Sequence, residues 1–274
     1  MPELPETETM ARDLHREIAG RTIHGVAVHR ADVLREVGPK ELARRTTRVK
    51  IQRAWRRAKL VVLDLSTDDR IVVQPRFTGA LLLDRGALAE SERRFSTIEF
   101  ALGDLTLHYR DIRRLGTVTL MSPARWADYE SALGVEPLDP PFSESYLSGL
   151  VRGSSQAVKK LLMDQRRVAG IGNIYANEAL WRAGIDPSRP ARSLRPAETA
   201  ALHGAVRSVL AEAIESRGTS FRDYRDPTGQ RGGFSARLAV YGRGGEPCAR
   251  CGTRLVETHA IDGRSTVLCA WCQR

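Results

Sequence analysis

Cys248-Ala249-Arg250-Cys251 and, seventeen residues on, Cys269-Ala270-Trp271-Cys272 mark the C-terminal end of the chain. They hold its only four cysteines, all within the last 27 of 274 residues. Two Cys-x2-Cys knuckles at this separation fit a tetrahedral four-thiolate zinc site. A pair of disulfides is the weaker alternative. Four thiolates leave no open coordination position, so a zinc ion there is structural. Residues 253–268 between the knuckles read as a β-hairpin turning near Asp262-Gly263, with Arg264 just past the turn. So thin a hairpin has little core, and the metal would hold it together. Arg264 is then either an ordinary surface arginine or a side chain that a rigid finger carries into a nucleic-acid groove.

Working back from the knuckles, the chain reads as helical. Residues 143–151 and 154–163 fit two short helices, and 174–183 a third, stopped by Gly184. Pro196–Ser216 fits a long amphipathic helix, with Leu202, Val206, Val209, Leu210, Ala213 and Ile214 on its inner face. Between the second and third helices, Gly170-Ile171-Gly172-Asn173 permits a tight turn with close backbone approach. Asn173 then sits at a helix N-terminus, where free N–H groups favour a phosphate. Lys159, Lys160, Arg166 and Arg167 add positive charge near that turn. The polar, Gly-rich stretch Arg217–Gly233 is too long for a simple turn and reads as a functional or disordered loop.

Further upstream, Gly134 to Pro141 is a Pro-rich break and a candidate linker. Before it, eight short β runs are expected: 23–28, 49–55, 60–65, 71–74, 80–83, 96–102, 105–109 and 117–121. Short strands separated by turn residues suggest a sandwich or barrel. Two of the connecting loops have unusual composition. Asp111-Ile112-Arg113-Arg114-Leu115-Gly116 pairs arginines with apolar residues, and Gln74-Pro75-Arg76-Phe77-Thr78-Gly79 offers an apolar wedge in Phe77. A duplex reader that extrudes a base must fill the hole it leaves, and such side chains suit that task. Lys59, in Arg56-Arg57-Ala58-Lys59, immediately precedes an apolar strand.

The chain begins Met1-Pro2-Glu3-Leu4-Pro5-Glu6, followed by a helical pattern over 5–19 with Met10, Leu14 and Ile18 at four-residue spacing. Pro2 is small enough for Met1 to be trimmed. Trimming would expose a secondary amine, a class of terminal group that titrates near about pH 8 and is partly a free-base nucleophile at neutral pH. Attack on a sugar aldehyde carbon would give an iminium, with the Glu3 carboxyl alongside to move protons. The plainer alternative is a helix start, with Pro5 and the acidic residues suited to its first turn.

Lysine and arginine number 43 against 33 acidic residues, a net charge of +10. Arginine makes up most of the excess and suits phosphate, so nucleic acid is the expected partner. No apolar run is long enough to span a membrane, and the start does not resemble a signal peptide. A monomer in the cytoplasm, associated with the nucleoid when bound to DNA, is the expectation.

In this order, these motifs resemble the formamidopyrimidine-DNA glycosylase/endonuclease VIII family of base-excision repair enzymes along the whole chain. The match comprises the Pro-Glu-Leu-Pro-Glu start, Arg-x-x-Lys before a strand and the Asp-x-Arg-Arg-x-Gly loop. The Gly-x-Gly-Asn-Ile-Tyr-Ala turn and Val-Tyr-Gly-Arg-x-Gly-Glu-Pro-Cys leading into the knuckles complete it. The resemblance implies an α+β multidomain fold. A catalytic β-sandwich with an N-terminal helix would span 1–131 and a linker 132–142. A helix–two-turns–helix DNA-binding domain would span 143–235 and a zinc-binding β-hairpin 236–274. One structural zinc, on Cys248, Cys251, Cys269 and Cys272, and damaged double-stranded DNA are the implied cofactor and partner.

By the same resemblance Pro2 is the Schiff-base nucleophile, Glu3 the general acid/base and Glu6 its supporting carboxylate. Lys59 resembles a lysine that contacts phosphate and assists β-elimination, and Arg264 the arginine assigned to δ-elimination. Asn173 and Lys159 would contact DNA, Arg113 would face the orphaned base, and Phe77 and Leu115 would act as wedges. The loop 217–233 aligns with one that covers the everted lesion. Four positions depart from the family pattern: Phe77 for Met, Leu115 for Phe, Phe95 near a DNA-contacting His and Ser154 near a phosphate-contacting Lys. Leu4 favours the branch acting on oxidised purines, 8-oxoguanine and formamidopyrimidines. The oxidised-pyrimidine branch and a catalytically silent damage-binding protein are the alternatives.

Overall fold

The computed structural model describes residues 2–220 and 224–274. Met1, whose trimming the sequence reading expects, and residues 221–223 of the long polar loop lie outside the described residues. The chain divides into two compact units, Met1–Ser131 with Ser216–Ser235, and Ala132–Glu215 with Ala236–Arg274.

The first unit starts with helix α1, Leu4–Ile18. Glu3 caps it through a reciprocal capping box with Glu6, and Pro5 falls in the first turn, where its missing N–H costs nothing. Met10, Leu14 and Ile18 are fully buried, as their four-residue spacing predicts. Nine strands follow: β1 Gly25–Val28, β2 Leu34–Arg35, β3 Ile51–Arg57, β4 Leu60–Leu65, β5 Arg70–Gln74, β6 Gly79–Asp84, β7 Ser96–Ala101, β8 Thr106–Asp111 and β9 Thr117–Met121. They form a four-stranded sheet ordered β1-β7-β8-β6 and a five-stranded sheet ordered β2-β9-β5-β4-β3. All pairings are antiparallel except β2 with β9. Ile98, Phe100, Leu107 and Tyr109 of the first sheet share one core with Val61, Leu63, Ile71, Val73 and Val118 of the second. α1 contributes Met10, Leu14 and Ile18 to that core. This is the expected sandwich with an N-terminal helix.

Three helices in this unit and the two-residue strand β2 were not expected from the sequence. They are α2 Pro39–Thr46, α3 Glu90–Arg93 and α4 Pro123–Ser131. α2 buries one apolar side chain, Leu42, and α4 buries only Trp126, so neither carries a repeating apolar stripe. The segment Ser216–Ser235, placed with the helical residues 143–235 by the sequence reading, groups with the sandwich instead. Two buried carboxylates of α1 explain this. Glu6 Oε1 accepts the Thr219 N–H at 2.7 Å, and Asp13 pairs with Arg217, which also bonds Asp226. Burial works against the Arg217 charge, but the two carboxylates outweigh it and hold the guanidinium protonated.

The second unit contains α5 Glu144–Arg152, α6 Val158–Met163, α7 Asn173–Ala183 and α8 Pro196–Glu215, followed by a hairpin of β10 Val256–Thr258 and β11 Thr266–Leu268. Ser143 caps α5 by accepting the Tyr146 N–H at 3.1 Å, and Gly184 ends α7 at φ +71°. α6 begins at Val158, later than the expected 154, because the preceding chain pairs Ala157 with Pro190 in an antiparallel bridge. α8 packs against α5 and α7 through buried Leu202, Val206, Val209 and Leu210. No helix among the described residues is long and apolar enough to cross a membrane.

Truncating a fully buried α1 side chain tests this packing. Leu14→Ala should cost about 2–5 kcal/mol of stability, read as a lowered urea midpoint with an unchanged slope.

Candidate active site and nucleic-acid interface

Pro2 and Glu3 immediately precede α1, and both are buried. The Glu3 backbone N–H donates to Glu6 Oε2 at 2.7 Å, while the Glu3 carboxylate accepts from the Glu6 backbone N–H. The other Glu6 oxygen takes the Thr219 N–H. Glu6 therefore fixes the backbone at Glu3 and ties it to residue 219. Gly218 leaves room for this, since a Cβ there would lie 2.8 Å from Glu6 Oε1, at φ +80°.

Lys59 occupies the two-residue turn between β3 and β4, where Ala58 takes φ +53°. Arg56 holds that turn against α1: it bridges the Ala58 carbonyl, at 3.1 Å, to Glu8, at 2.7 Å. Burial alone would raise the Glu8 carboxyl, but Arg56 and Arg12 outweigh it and hold Glu8 below the usual carboxylate range. α1 thus supports Pro2, Glu3, Glu6 and the lysine turn from one scaffold.

The same unit carries the two expected wedge loops. Phe77, Ile112 and Leu115 are 47%, 37% and 39% exposed, against a core in which most large apolar side chains are buried. The Arg113 guanidinium lies over the Phe77 ring, 5.1 Å from its centroid. Phe95 is covered in the same way by Arg94, at 4.7 Å.

In the second unit Arg264 is exposed past a tight turn in which Asp262 and Gly263 take φ +54° and +62°. The next residue is held from below. The Ser265 carbonyl accepts from Lys159 Nζ and from Asn173 Nδ2, each at 2.9 Å. Lys159 also bonds Thr266 Oγ1 at 2.7 Å, and Asn177 Oδ1 accepts the Val267 N–H at 2.9 Å. This corrects the expectation for Lys159. It is 0% exposed and spends two donors on the hairpin, so it is not an open charge beside the turn. Lys160, its neighbour, is half exposed and pairs with Asp262. Asn173 stands at the start of α7 as expected, with part of its amide committed to the hairpin. Ser154 is buried, and its carbonyl accepts the Arg192 N–H.

Glu178 was not singled out from the sequence. It is fully buried, and its carboxylate takes the N–H groups of Ala239, Val240 and Tyr241 at 2.8–3.0 Å. It anchors the chain where it turns toward the cysteines. A Glu in the middle of a helix, 61 residues before its first partner, leaves no local signal.

The four cysteines are free thiols whose sulfurs all lie within 4.8 Å of one another, with Cys251 and Cys269 at 3.5 Å. A tetrahedron with Zn–S bonds of about 2.3 Å has sulfurs about 3.8 Å apart, so the set fits zinc. Burial works to raise the Cys248 thiol, but the N–H groups of Arg250 and Cys251 outweigh it and bring it to about 6. Cys272, hydrogen-bonded to Cys251, is pushed up to about 12. Crowded sulfurs resist ionising together, and a divalent cation removes that conflict.

Residues 1–118 match the formamidopyrimidine-DNA glycosylase N-terminal domain, 133–225 the formamidopyrimidine-DNA glycosylase H2TH domain, and 245–274 a zinc finger found in Fpg and IleRS. The chain belongs to the formamidopyrimidine-DNA glycosylase family. As a member, it is a DNA glycosylase of base-excision repair with one structural zinc. It is 41% identical to the formamidopyrimidine-DNA glycosylase of Carboxydothermus hydrogenoformans over the full length of both chains. With that of Chloroflexus aggregans it shares 40% identity over all of this chain and 98% of the relative. Among solved structures it is similar to Lactococcus lactis Fpg in complex with abasic-site DNA, at TM-score 0.91 and 31% identity over 99% of each chain. The Thermus thermophilus Fpg protein matches at TM-score 0.88 and 36% identity, covering 99% of this chain and 98% of that one. Lactococcus lactis Fpg has also been solved with DNA containing an oxidised pyrimidine.

The zinc assignment has a direct check. Cys269→Ser should lose the metal, measured by elemental analysis, and weaken DNA binding. Undiminished zinc in the folded variant would contradict the four-thiolate site.

Proposed function

We propose that this glycosylase removes oxidised purines, 8-oxoguanine and formamidopyrimidines, from damaged double-stranded DNA and then cleaves the strand as an AP lyase. The observation that carries the reading is the arrangement at the start of α1. A buried carboxylate, Glu6, holds the Glu3 backbone, and Glu3 is preceded directly by a proline whose nitrogen becomes a secondary amine once Met1 is removed.

In this mechanism the Pro2 nitrogen attacks C1′ of the extruded nucleotide, and the glycosidic bond breaks, the base leaving with the electron pair and taking up the proton that the amine gives up. Glu3, as general acid/base, assists base loss and then protonates the ring oxygen as the sugar opens, which leaves an iminium between Pro2 and C1′. The iminium acidifies C2′. Loss of that proton expels the 3′ phosphate, and a second elimination expels the 5′ phosphate, leaving a one-nucleoside gap. Lys59 is assigned a phosphate contact and assistance to the first elimination, and Arg264 a role in the second. Asn173 and the N–H groups at the start of α7 are assigned backbone phosphate. Arg113 faces the orphaned base, with Phe77 and Leu115 as wedges. Oxidised pyrimidines are the second reading, favoured by the related Lactococcus lactis complex.

Borohydride trapping on duplexes containing 8-oxoguanine, an oxidised pyrimidine or an abasic site tests the proposal. A covalent adduct on an N-terminal proline, in protein whose intact mass lacks Met1, is the expected result. No adduct with any of the three would overturn the lyase reading. Pro2→Gly should lose most trapping while retaining DNA binding. Glu3→Gln should slow base release about 10²–10⁴-fold, the usual contribution of a positioned acid/base.

A further inference from the structure

The two wedge loops meet beneath the surface at a buried carboxylate. Thr78 follows Phe77 and is buried where Phe77 is exposed. Its hydroxyl donates to Asp111 Oδ1 and accepts the backbone N–H of Arg113 at 2.9 Å. Its carbonyl accepts from Arg110 Nη1 at 2.8 Å. The second Asp111 oxygen takes the Gly116 N–H at 2.8 Å and the Tyr109 hydroxyl at 3.3 Å. Burial, and then the Asp111 charge, push the Tyr109 phenol well above its ordinary value, so it remains a donor. Residue 116 must be glycine in this packing, because a Cβ would lie 1.9 Å from the Tyr109 hydroxyl. One carboxylate thus gathers donors from the β5–β6 turn, from β8 and from the end of the β8–β9 loop.

We propose that Thr78 and Asp111 are positioning residues that lock the β5–β6 and β8–β9 loops into one rigid wedge. Phe77 is the platform that aims the Arg113 guanidinium at the base left opposite an extruded lesion. This inference rests on the glycosylase reading above. Inserting side chains into a duplex costs unstacking energy, and prongs already ordered in the free protein lose less entropy on insertion. A guanidinium stacked on a ring is also confined to one plane, so its N–H edge presents a fixed set of donors. The clamp therefore controls which opposite base is tolerated. The groups assigned to bond breaking, Pro2 and Glu3, lie elsewhere, immediately before α1.

The test uses duplexes carrying 2-aminopurine opposite a tetrahydrofuran abasic analogue, which forms no Schiff base, together with single-turnover rates for the lesion opposite each of the four bases. Wild-type protein should raise 2-aminopurine fluorescence at saturation and show a spread of rates across opposite bases. Thr78→Val keeps the shape and removes the hydroxyl. It should lower the fluorescence plateau at equal occupancy and compress the rate spread by about tenfold, the effect of one lost hydrogen bond to a charged group. Thr78→Ser should restore both. Phe77→Leu, at an exposed position that does not threaten folding, should keep the fluorescence rise and lose the rate spread. If folded Thr78→Val and Phe77→Leu both match wild type in both readouts, or if Thr78→Ser behaves like Thr78→Val, the clamp is wrong. A wild-type protein that traps on no duplex refutes the glycosylase–lyase reading itself, which is a separate outcome.

Discussion

The Glu6 carboxylate is the interaction on which the N-terminal unit depends. One oxygen holds the backbone of Glu3 and the other the backbone of Thr219, so one buried side chain joins the residue after the proposed nucleophile to a segment far along the chain. A buried carboxylate is costly unless its lone pairs are filled, and these are filled by two main-chain donors, one at the start of α1 and one at Thr219. The same geometry that caps α1 therefore positions Glu3. The carboxyl proposed as the acid/base, placed at a helix cap, inherits the rigidity of the whole helix, which Met10, Leu14 and Ile18 anchor in the core.

The second unit solves a different problem. A hairpin with strands of three residues cannot hold an arginine in place by its own packing. Zinc fixes one end of the module. At the other end Lys159, Asn173 and Asn177 grip Ser265, Thr266 and Val267 through buried and half-buried hydrogen bonds. Burying a lysine is expensive, yet with its ammonium bonded to a carbonyl and a hydroxyl it sets the register of the residue next to Arg264. Lys159, Asn173 and Asn177 thus serve to place the arginine rather than to meet solvent.

Much of this was legible in the sequence wherever a pattern repeats locally. The four-residue spacing of Met10, Leu14 and Ile18, the period of the β runs and the spacing of the knuckles each correspond to an observed element. The signal fails where a residue acts through one distant partner. Thr78 reads as a turn residue until Asp111, 33 positions away, is seen to accept its hydroxyl. Glu178 reads as a helix former until three N–H groups from residues 239–241 converge on it. Lys159 reads as surface charge because charge is all a sequence displays, whereas burial depends on the fold above it. α2 and α4 were invisible for the opposite reason, since each is anchored by a single apolar side chain.

The grouping of Ser216–Ser235 with the sandwich bears on the order in which the molecule is made. The sandwich strands all leave the ribosome early, but Glu6 meets Thr219 only 213 residues later in the sequence, and Asp13 meets Arg217 after 204. Until then two carboxylates of α1 have only their local donors, the Glu3 N–H and Arg16, and lack the partners from the distant segment. The N-terminal unit can therefore assemble its sheets during synthesis and still be unable to settle its first helix. The helical residues 132–215 must emerge in between, so the N-terminal end of the chain is the first part made and among the last to gain all its contacts.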